Sequence, residues 1–521
     1  MAVKIAMLIV FFIVTISVGL YFRHRTSDIN GFVLGGRSVG AWLTAFAYGT
    51  SYFSAVVFIG YAGQFGWKFG ISAIWIGLGN AIIGSLLAWV FLGRRTRVMT
   101  RHLDSATMPA FFGERYNSKS LKVGASAIIF VFLVPYTASL YNGLSRLFAM
   151  AFSIDFTVCI IAMALLTGLY VISGGYFATA VNDFIQGIIM LGGIVAVIFA
   201  MLSANGGFTA AIDSLARVED VSVSSTPGIF SSFFGPDPLA LLGVVILTSL
   251  GTWGLPQMVQ KFYSIKSEKA VKKGTVISTL FAVIVSGGCY FLGGFGRLFS
   301  DRIDLSTSGY DAIIPTMLSE FAPWLIGIIV VLVFSASMST LSALVMTSAS
   351  TFTLDFLKDN LIKNMNEKKQ LLSIRMLIVV FVIISAVIAI VQYKQGVMFI
   401  AQLMGISWGA LAGSFLAPFL YGLYWKKVTT ASVWCCFIFS TVVMVLNVLV
   451  RPIFPVFLQS PINAGAFTML MGLVIVPVVS IFTKTLAVKH IEHCFGAYDE
   501  TVTVTVRDSL GVNGIKTMHD H

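Results

Sequence analysis

Charge is scarce in this sequence. Only 11% of its 521 residues are Asp, Glu, Lys or Arg, and 57% are hydrophobic, whereas a soluble domain carries about 25% charged residues. No water-soluble fold could keep that much apolar surface out of water. Titratable groups are scarcer still where proton chemistry would need them. The six histidines (His24, His102, His490, His493, His519 and His521) all fall outside the long apolar runs, and of the 22 acidic residues only Asp183 lies well inside one, in SGGYFATAVNDFIQG. A proton-coupled carrier needs an intramembrane relay of such groups, and a metal-dependent or acid–base enzyme needs them clustered. Both classes are disfavoured. The five cysteines (Cys159, Cys289, Cys435, Cys436 and Cys494) lack metal-ligand spacing and are read as packing residues.

Long apolar runs are what the sequence has instead. A helix of about 20 residues crosses a hydrocarbon core of roughly 30 Å. Runs of that length near 4–22, 40–63, 71–93, 120–149, 153–174, 177–203, 238–260, 275–298, 323–353, 372–392, 396–424, 430–450 and 464–488 predict an all-α integral membrane protein of about thirteen transmembrane helices. That count takes Gly174–Gly175 and Gln392–Lys394 as breaks. The first run continues to Phe22 without a small-residue cleavage site and is read as a retained helix.

Basic residues orient these spans, because loops rich in Lys and Arg stay in the cytoplasm. With the N-terminus placed outside, most of the 34 Lys and Arg fall on one side: Arg94, Arg95, Arg97 and Arg101 in one loop, Lys261, Lys266, Lys269, Lys272 and Lys273 in another, Lys484 and Lys489 after the last span. The expectation is a cell-membrane protein with an external N-terminus and a cytoplasmic C-terminus. Residues 1–488 would form a single transmembrane domain and 489–521 a cytoplasmic polar tail. Anchoring against anionic lipid accounts for the net charge of +12 without nucleic acid.

With protons disfavoured, the natural coupling ion is a hard cation bound by neutral oxygens. Transporters obtain backbone carbonyls for such a site by breaking a helix near the bilayer midplane. The second span carries Gly49, Thr50, Ser51 and Ser54 at its middle, where small and polar residues weaken helix continuity. The ninth carries Ser335, Ser339, Thr340 and Ser342 in FSASMSTLSALVMTSAS, with Ser335, Ser339 and Ser342 on one face. Each feature alone is as well explained by helix packing, where Gly, Ala, Ser and Thr are common.

Together, and in order, FVLGGRSVGAWLTAFAYGTSYFSAVVFIGYAG, SGGYFATAVNDFIQG, SASMSTLSA and APFLYGLYWKKVTTAS resemble the signatures of the solute:sodium symporter family, which includes sodium/proline and sodium/pantothenate carriers. The likeness runs from about residue 5 to 488. It implies a LeuT-type fold of two inverted five-helix repeats, about 40–203 and 238–424, with one helix before and two after. It also implies sodium-coupled import of a small organic solute: an amino acid, a vitamin-like carboxylate, a monocarboxylate or a sugar. Carried over by motif, the sodium ligands are the carbonyls of Thr50, Phe53 and Ala336 and the hydroxyls of Ser339 and Thr340. Some members add a second sodium site, here Asp183 with Ser339 and Ser342; Ala343 stands where they have a further serine. Tyr52 stands where proline-type carriers have an acidic residue, so proline is not the assumed solute. Candidate solute contacts are Tyr52, Phe53, Ser54, Gln64, Tyr136, Tyr141, Asn142, Trp253 and Pro256. Arg146 is read as a snorkelling residue at the outer end of its span.

Two other classes compete with a symporter. A channel would carry a pore-loop filter or rings of like charge, and neither is seen. A transporter-like membrane sensor needs a signalling domain, and the stretch after 488, including TVTVTVRDSL, is too short for one.

Overall fold

The computed structural model describes residues 2–22, 29–303, 305, 309–319, 321–362, 365–395 and 400–498, which are helical apart from loops and two isolated β-bridges. The long helices are α1 (Ala2–Tyr21), α2 (Ala41–Tyr52), α3 (Ala62–Phe69), α4 (Ile74–Ala81, running on through π turns to His102) and α5 (Lys119–Phe152). Then come α6 (Phe156–Ala204), α7 (Pro238–Gly254), α8 (Pro256–Ser264), α9 (Glu268–Gly294) and α10 (Pro323–Thr351). The chain ends with α11 (Glu367–Gln395), α12 (Ile400–Tyr424), α13 (Thr430–Leu449), α14 (Pro461–Phe482) and α15 (Val488–Gly496). Many start where a short polar side chain takes the free amides of the first turn. Ser118, Asp155, Asp237, Ser267 and Thr429 do this for α5, α6, α7, α9 and α13.

Among the described residues ten helices are long and apolar enough to cross a membrane, and the bent pair α7–α8 makes an eleventh. The expected spans 40–63 and 153–174 are present as helix but not as single long apolar runs. The first is interrupted after Tyr52, and the second qualifies only over Phe156–Leu166 as a shorter apolar helix. The break expected at Gly174–Gly175 is real: Gly175 adopts φ 58°, ψ −177°, a conformation open essentially to glycine alone. α11 and α12 are likewise separate helices.

One expected span is corrected. The run 238–260 is not one helix, because α7 stops at Gly254, Leu255 is extended (φ −79°, ψ 123°) and α8 restarts at Pro256 with a 45° bend. Proline pushes the residue before it out of the α region and has no amide to give the preceding turn. Each of the two expected five-helix sets therefore opens with a helix broken midway, α2 to α3 and α7 to α8.

Burial sorts the helices into centre and rim. The most apolar stretches of α10 and α12 are 89% and 94% buried, against 22% for α1. α10 packs on α6, α5 and α1, while α12 packs on α14, α13, α5 and α7. Where α3 meets α9 the backbones touch: a Cβ on Gly66 would lie 2.0 Å from the Gly293 carbonyl oxygen, and one on Gly293 would lie 2.1 Å from that of Ala62.

The expected polar tail is in part a docked element. α15 buries Cys494 and Phe495, sets the Phe495 ring 4.9 Å from the Arg115 guanidinium and brings a His490 ring nitrogen 3.2 Å from the Arg115 carbonyl. Residues 499–521, with TVTVTVRDSL, lie outside the described residues.

Candidate ion- and solute-binding site

The last backbone bond of α2 runs from the Phe53 amide to the Gly49 carbonyl at 3.0 Å. The next carbonyls, from Thr50 onward, have no helical partner, as at any helix C-terminus. Here that terminus is buried at the centre of the molecule, so other donors must come to it. α10 supplies them. Ser339 Oγ donates to the Thr50 carbonyl at 2.9 Å and Thr340 Oγ1 at 3.0 Å. The same hydroxyls lie 3.2 and 3.0 Å from the Ala336 carbonyl. Thr50, Ser339 and Thr340 are fully buried. Phe53 lines a small void together with Ala336, Ser54, Phe58 and Met190, and none of the described hydrogen bonds ends on its carbonyl.

Four of the five expected sodium ligands are thus in mutual contact, and the fifth residue adjoins them. Carbonyls and hydroxyls offer neutral oxygens with spare lone pairs, a donor set that suits a hard monovalent cation. A hydroxyl that now donates to a carbonyl can turn its lone pair toward an ion.

Asp183 does not reach solvent to snorkel. It is buried, and its Oδ2 lies 3.9 Å from Lys261 Nζ, itself buried on α8 and 5.2 Å from the Tyr176 ring. The sequence places Lys261 in a basic loop; after the break at Leu255 it instead lies in the interior on α8, which runs from Pro256 to Ser264, past the expected end of the span at 260. Ser342 Oγ donates to the Ser339 carbonyl at 2.8 Å.

The solute candidates separate into two groups. Tyr52 donates to the Thr248 carbonyl of α7 at 2.6 Å and stacks on Phe53 at 4.2 Å, which ties the two broken helices together. Ser54 caps the restart after the break by accepting from the Val56 amide at 3.2 Å. Tyr136 meets Trp408 edge to face at 5.9 Å, and Trp408 also stacks with Tyr52 at 6.1 Å. Tyr141 is buried nearby on α5, and Pro256 opens α8. The other three look elsewhere. Asn142 Nδ2 reaches Gln392 Oε1 at 3.4 Å, Trp253 Nε1 donates to the Ile83 carbonyl at 2.9 Å, and Gln64 lines a separate, larger cavity. Trp408 and Phe281, 6.4 Å from the Phe53 ring, complete the aromatic wall and are not among the residues singled out from sequence. In MGISWGALAG the one large polar-edged ring amid small residues was the available signal for Trp408.

The larger cavity, about 830 Å³, is lined by Lys68, Asp220, Arg297, Gln402 and Arg451, which bring together the loops around Asp220, Arg297 and Arg451. There Arg297 pairs with Asp220 at 2.8 Å and donates to the Trp67 carbonyl at 2.7 Å. The Ser222 hydroxyl and then Arg297 hold the Asp220 carboxyl below the usual carboxylate range. Asp311 is buried, accepts from the Ile400 amide at the start of α12 (3.2 Å) and lies 3.8 Å from Arg146 Nε. Arg146 is thus paired rather than merely snorkelling.

Comparison with known proteins agrees with this architecture. A family model described as sodium:solute symporter family matches residues 32–439. A curated sodium/proline symporter of Staphylococcus aureus (strain JH9) is 30% identical over 517 residues, covering 96% of this chain and 95% of that one. Among solved structures, a Na+-coupled sialic acid symporter in a substrate-bound outward-open state superposes with a TM-score of 0.72 at 17% identity, covering 93% of this chain and 98% of that one. The fold is the LeuT-type helical fold of membrane transporters. A broken helix facing a hydroxyl-bearing helix, within a multi-pass apolar chain matched over nearly its whole length, places this chain in the sodium:solute symporter family.

Proposed function

We propose that the chain carries one small organic solute inward with sodium by alternating access. Sodium sits between the carbonyls of Thr50, Phe53 and Ala336 and the hydroxyls of Ser339 and Thr340. The observation that supports this is the closure of two α10 hydroxyls on the Thr50 carbonyl that the α2 break sets free. An ion there links α2 to α10. The solute lies beside it against Tyr52, Phe53, Ser54, Tyr136 and Trp408, a largely aromatic wall suited to an apolar body with hydrogen-bonding ends. It enters through the cavity above Gln64. The solute is an amino acid, a vitamin-like carboxylate, a monocarboxylate or a sugar. Tyr52 fills the position that is acidic in proline-type carriers and narrows the pocket against proline. Because sodium and solute stabilise the same closed arrangement, each must raise the other's affinity by the same factor.

A thermal-shift screen of the purified chain tests this. A ligand at 100 times its dissociation constant stabilises by about 2.7 kcal/mol, so the correct solute should raise the melting temperature far more with sodium than with potassium. A solute whose effect is equal in both salts would overturn the coupling.

A further inference from the structure

Gln260 on α8 is buried with both ends of its amide engaged: it donates to the Val33 carbonyl at 3.1 Å and accepts from Thr347 at 2.9 Å. Asp183, which faces Lys261 of the same helix, is not so satisfied. Its Oδ2 is 3.9 Å from the Lys261 ammonium, beyond hydrogen-bond reach, and its Oδ1 has no hydrogen-bond partner, although the residue is 1% exposed. The amide atoms of Gln186, one turn from Asp183 on α6, and of Gln257, one turn before Lys261 on α8, are also buried without partners. Buried polar atoms are normally paired, and those that are not point to a ligand, a water or a functional state.

The level of this cluster is informative. Met190 of α6 and Ala336 of α10 line the same void beside the sodium ligands. Seven residues of helix span about 10 Å. α6 and α10 run in opposite directions here, so seven residues back from Met190 and seven on from Ala336 reach one level, that of Asp183 and Ala343. Ser342 is adjacent, with its hydroxyl donating to the Ser339 carbonyl, and Ala343 offers no side-chain oxygen. A second cation at this level would find one carboxylate, few hydroxyl ligands and an ammonium already present. Two positive charges cannot share one buried carboxylate without large repulsion.

We propose that Lys261 is a tethered cation, whose ammonium holds Asp183 in the place a second transported sodium would otherwise take, so that the chain moves a single sodium with each solute. The inference rests on the sodium site proposed above. The ammonium neutralises Asp183 but, fixed to α8, cannot leave with the solute. The looseness of the pair lets α8 and α6 part when the inner side opens, with water reaching the bare Oδ1 and the two glutamines.

Equilibrium binding of 22Na+ to the purified full chain tests this without knowledge of the solute. The unmodified chain should bind one sodium. Lys261→Met, which keeps the length of the stem and removes the charge, should gain a second sodium, and its binding curve should steepen toward a Hill coefficient of about 2, the limit set by two sites. The double variant Lys261→Met/Asp183→Asn, which buries no unpaired charge, should return to a single sodium with the original affinity. A Lys261→Met chain that binds sodium as the unmodified chain does would overturn the proposal. So would loss of sodium binding in the double variant, which applies even if Lys261→Met does not fold, because it would make Asp183 a ligand of the transported ion itself. If the unmodified chain binds no sodium while Lys261→Met binds one, the tethered cation stands and the Ser339–Thr340 site is the part that fails.

Discussion

Ser339 and Thr340 each place one hydroxyl within 3.2 Å of two carbonyls that have lost or shared their helical partners. Removing one such oxygen from a charged partner costs about 1.5–3 kcal/mol, or roughly tenfold to a hundredfold in affinity. Ser339→Ala and Thr340→Ala should therefore raise the sodium concentration for half-maximal uptake by that factor, with partial recovery of solute binding at saturating sodium. Ser350 lies on the same helix and is equally buried, but its hydroxyl donates within its own helix to Met346 and Thr347. Ser350→Ala should leave sodium dependence unchanged. If both ligand variants keep the original sodium dependence in a flux assay, the site is elsewhere. The hydroxyl pair was legible in sequence because Ser and Thr at helical spacing in an apolar run demand partners. Lys261 was not, because a lysine near a run's end normally snorkels, and only the change of direction at Leu255 turns it inward. Gln64 is a related case: helix periodicity gives its face but not its depth, and it lines the larger cavity rather than the aromatic wall.

Among the elements, the α2 break was legible from GTSYFS, whereas the α7 break was overlooked although Leu255–Pro256 announces it in covalent terms. An apolar window averages over a bend. Packing of α3 on α9 is equally invisible to hydropathy, yet it is strict. Gly66→Ala would drive a methyl into the Gly293 carbonyl, and since backbone has to move, a loss of about 1–3 kcal/mol is expected. A Cβ on Gly192 of α6 meets nothing within 4 Å, so Gly192→Ala should be neutral or stabilise by up to about 1 kcal/mol. Thermal melts of the two variants side by side measure the contrast. The loop element around Asp311 has its own signature. Burial lifts its carboxyl to about 6, against the opposing pull of Arg146 and the Ile400 amide. A carboxyl that holds its proton more tightly when docked than when exposed favours docking as pH falls through about 6 toward its exposed value. It disfavours docking as pH rises. Relative to Asp311→Asn, the unmodified chain should therefore gain about 1 kcal/mol between pH 7.5 and 5, read as a difference in melting temperature. An equal pH response in both would remove Asp311 from the account.

At the scale of the whole molecule, the described basic residues Arg37, Arg94, Arg97, Arg101 and Lys266 lie near one another, with Arg37 and Arg97 donating to carbonyls of Ser105 and Ile265. We expect this face in the cytoplasm. A cysteine placed at the exposed Lys272, in a chain freed of its native cysteines, should react only with reagent from inside, and one at Val221, 81% exposed in the opposite loop, only from outside. Labelling of position 272 from outside would reverse the orientation. The meeting of Gly66 with Gly293 bears on how such a molecule moves. Where two helices touch through side chains they can slide by exchanging rotamers, but backbone set against backbone leaves nothing to rearrange. α3 and α9 must travel as one rigid piece. The displacement that passes a solute has to fall on a seam that can come apart and close again, and the one between α2 and α10 is held by two hydroxyls on a bare carbonyl. In the mechanism proposed above, a single ion there would act as a removable pin, whose arrival and departure decide which side of the membrane the two bodies face.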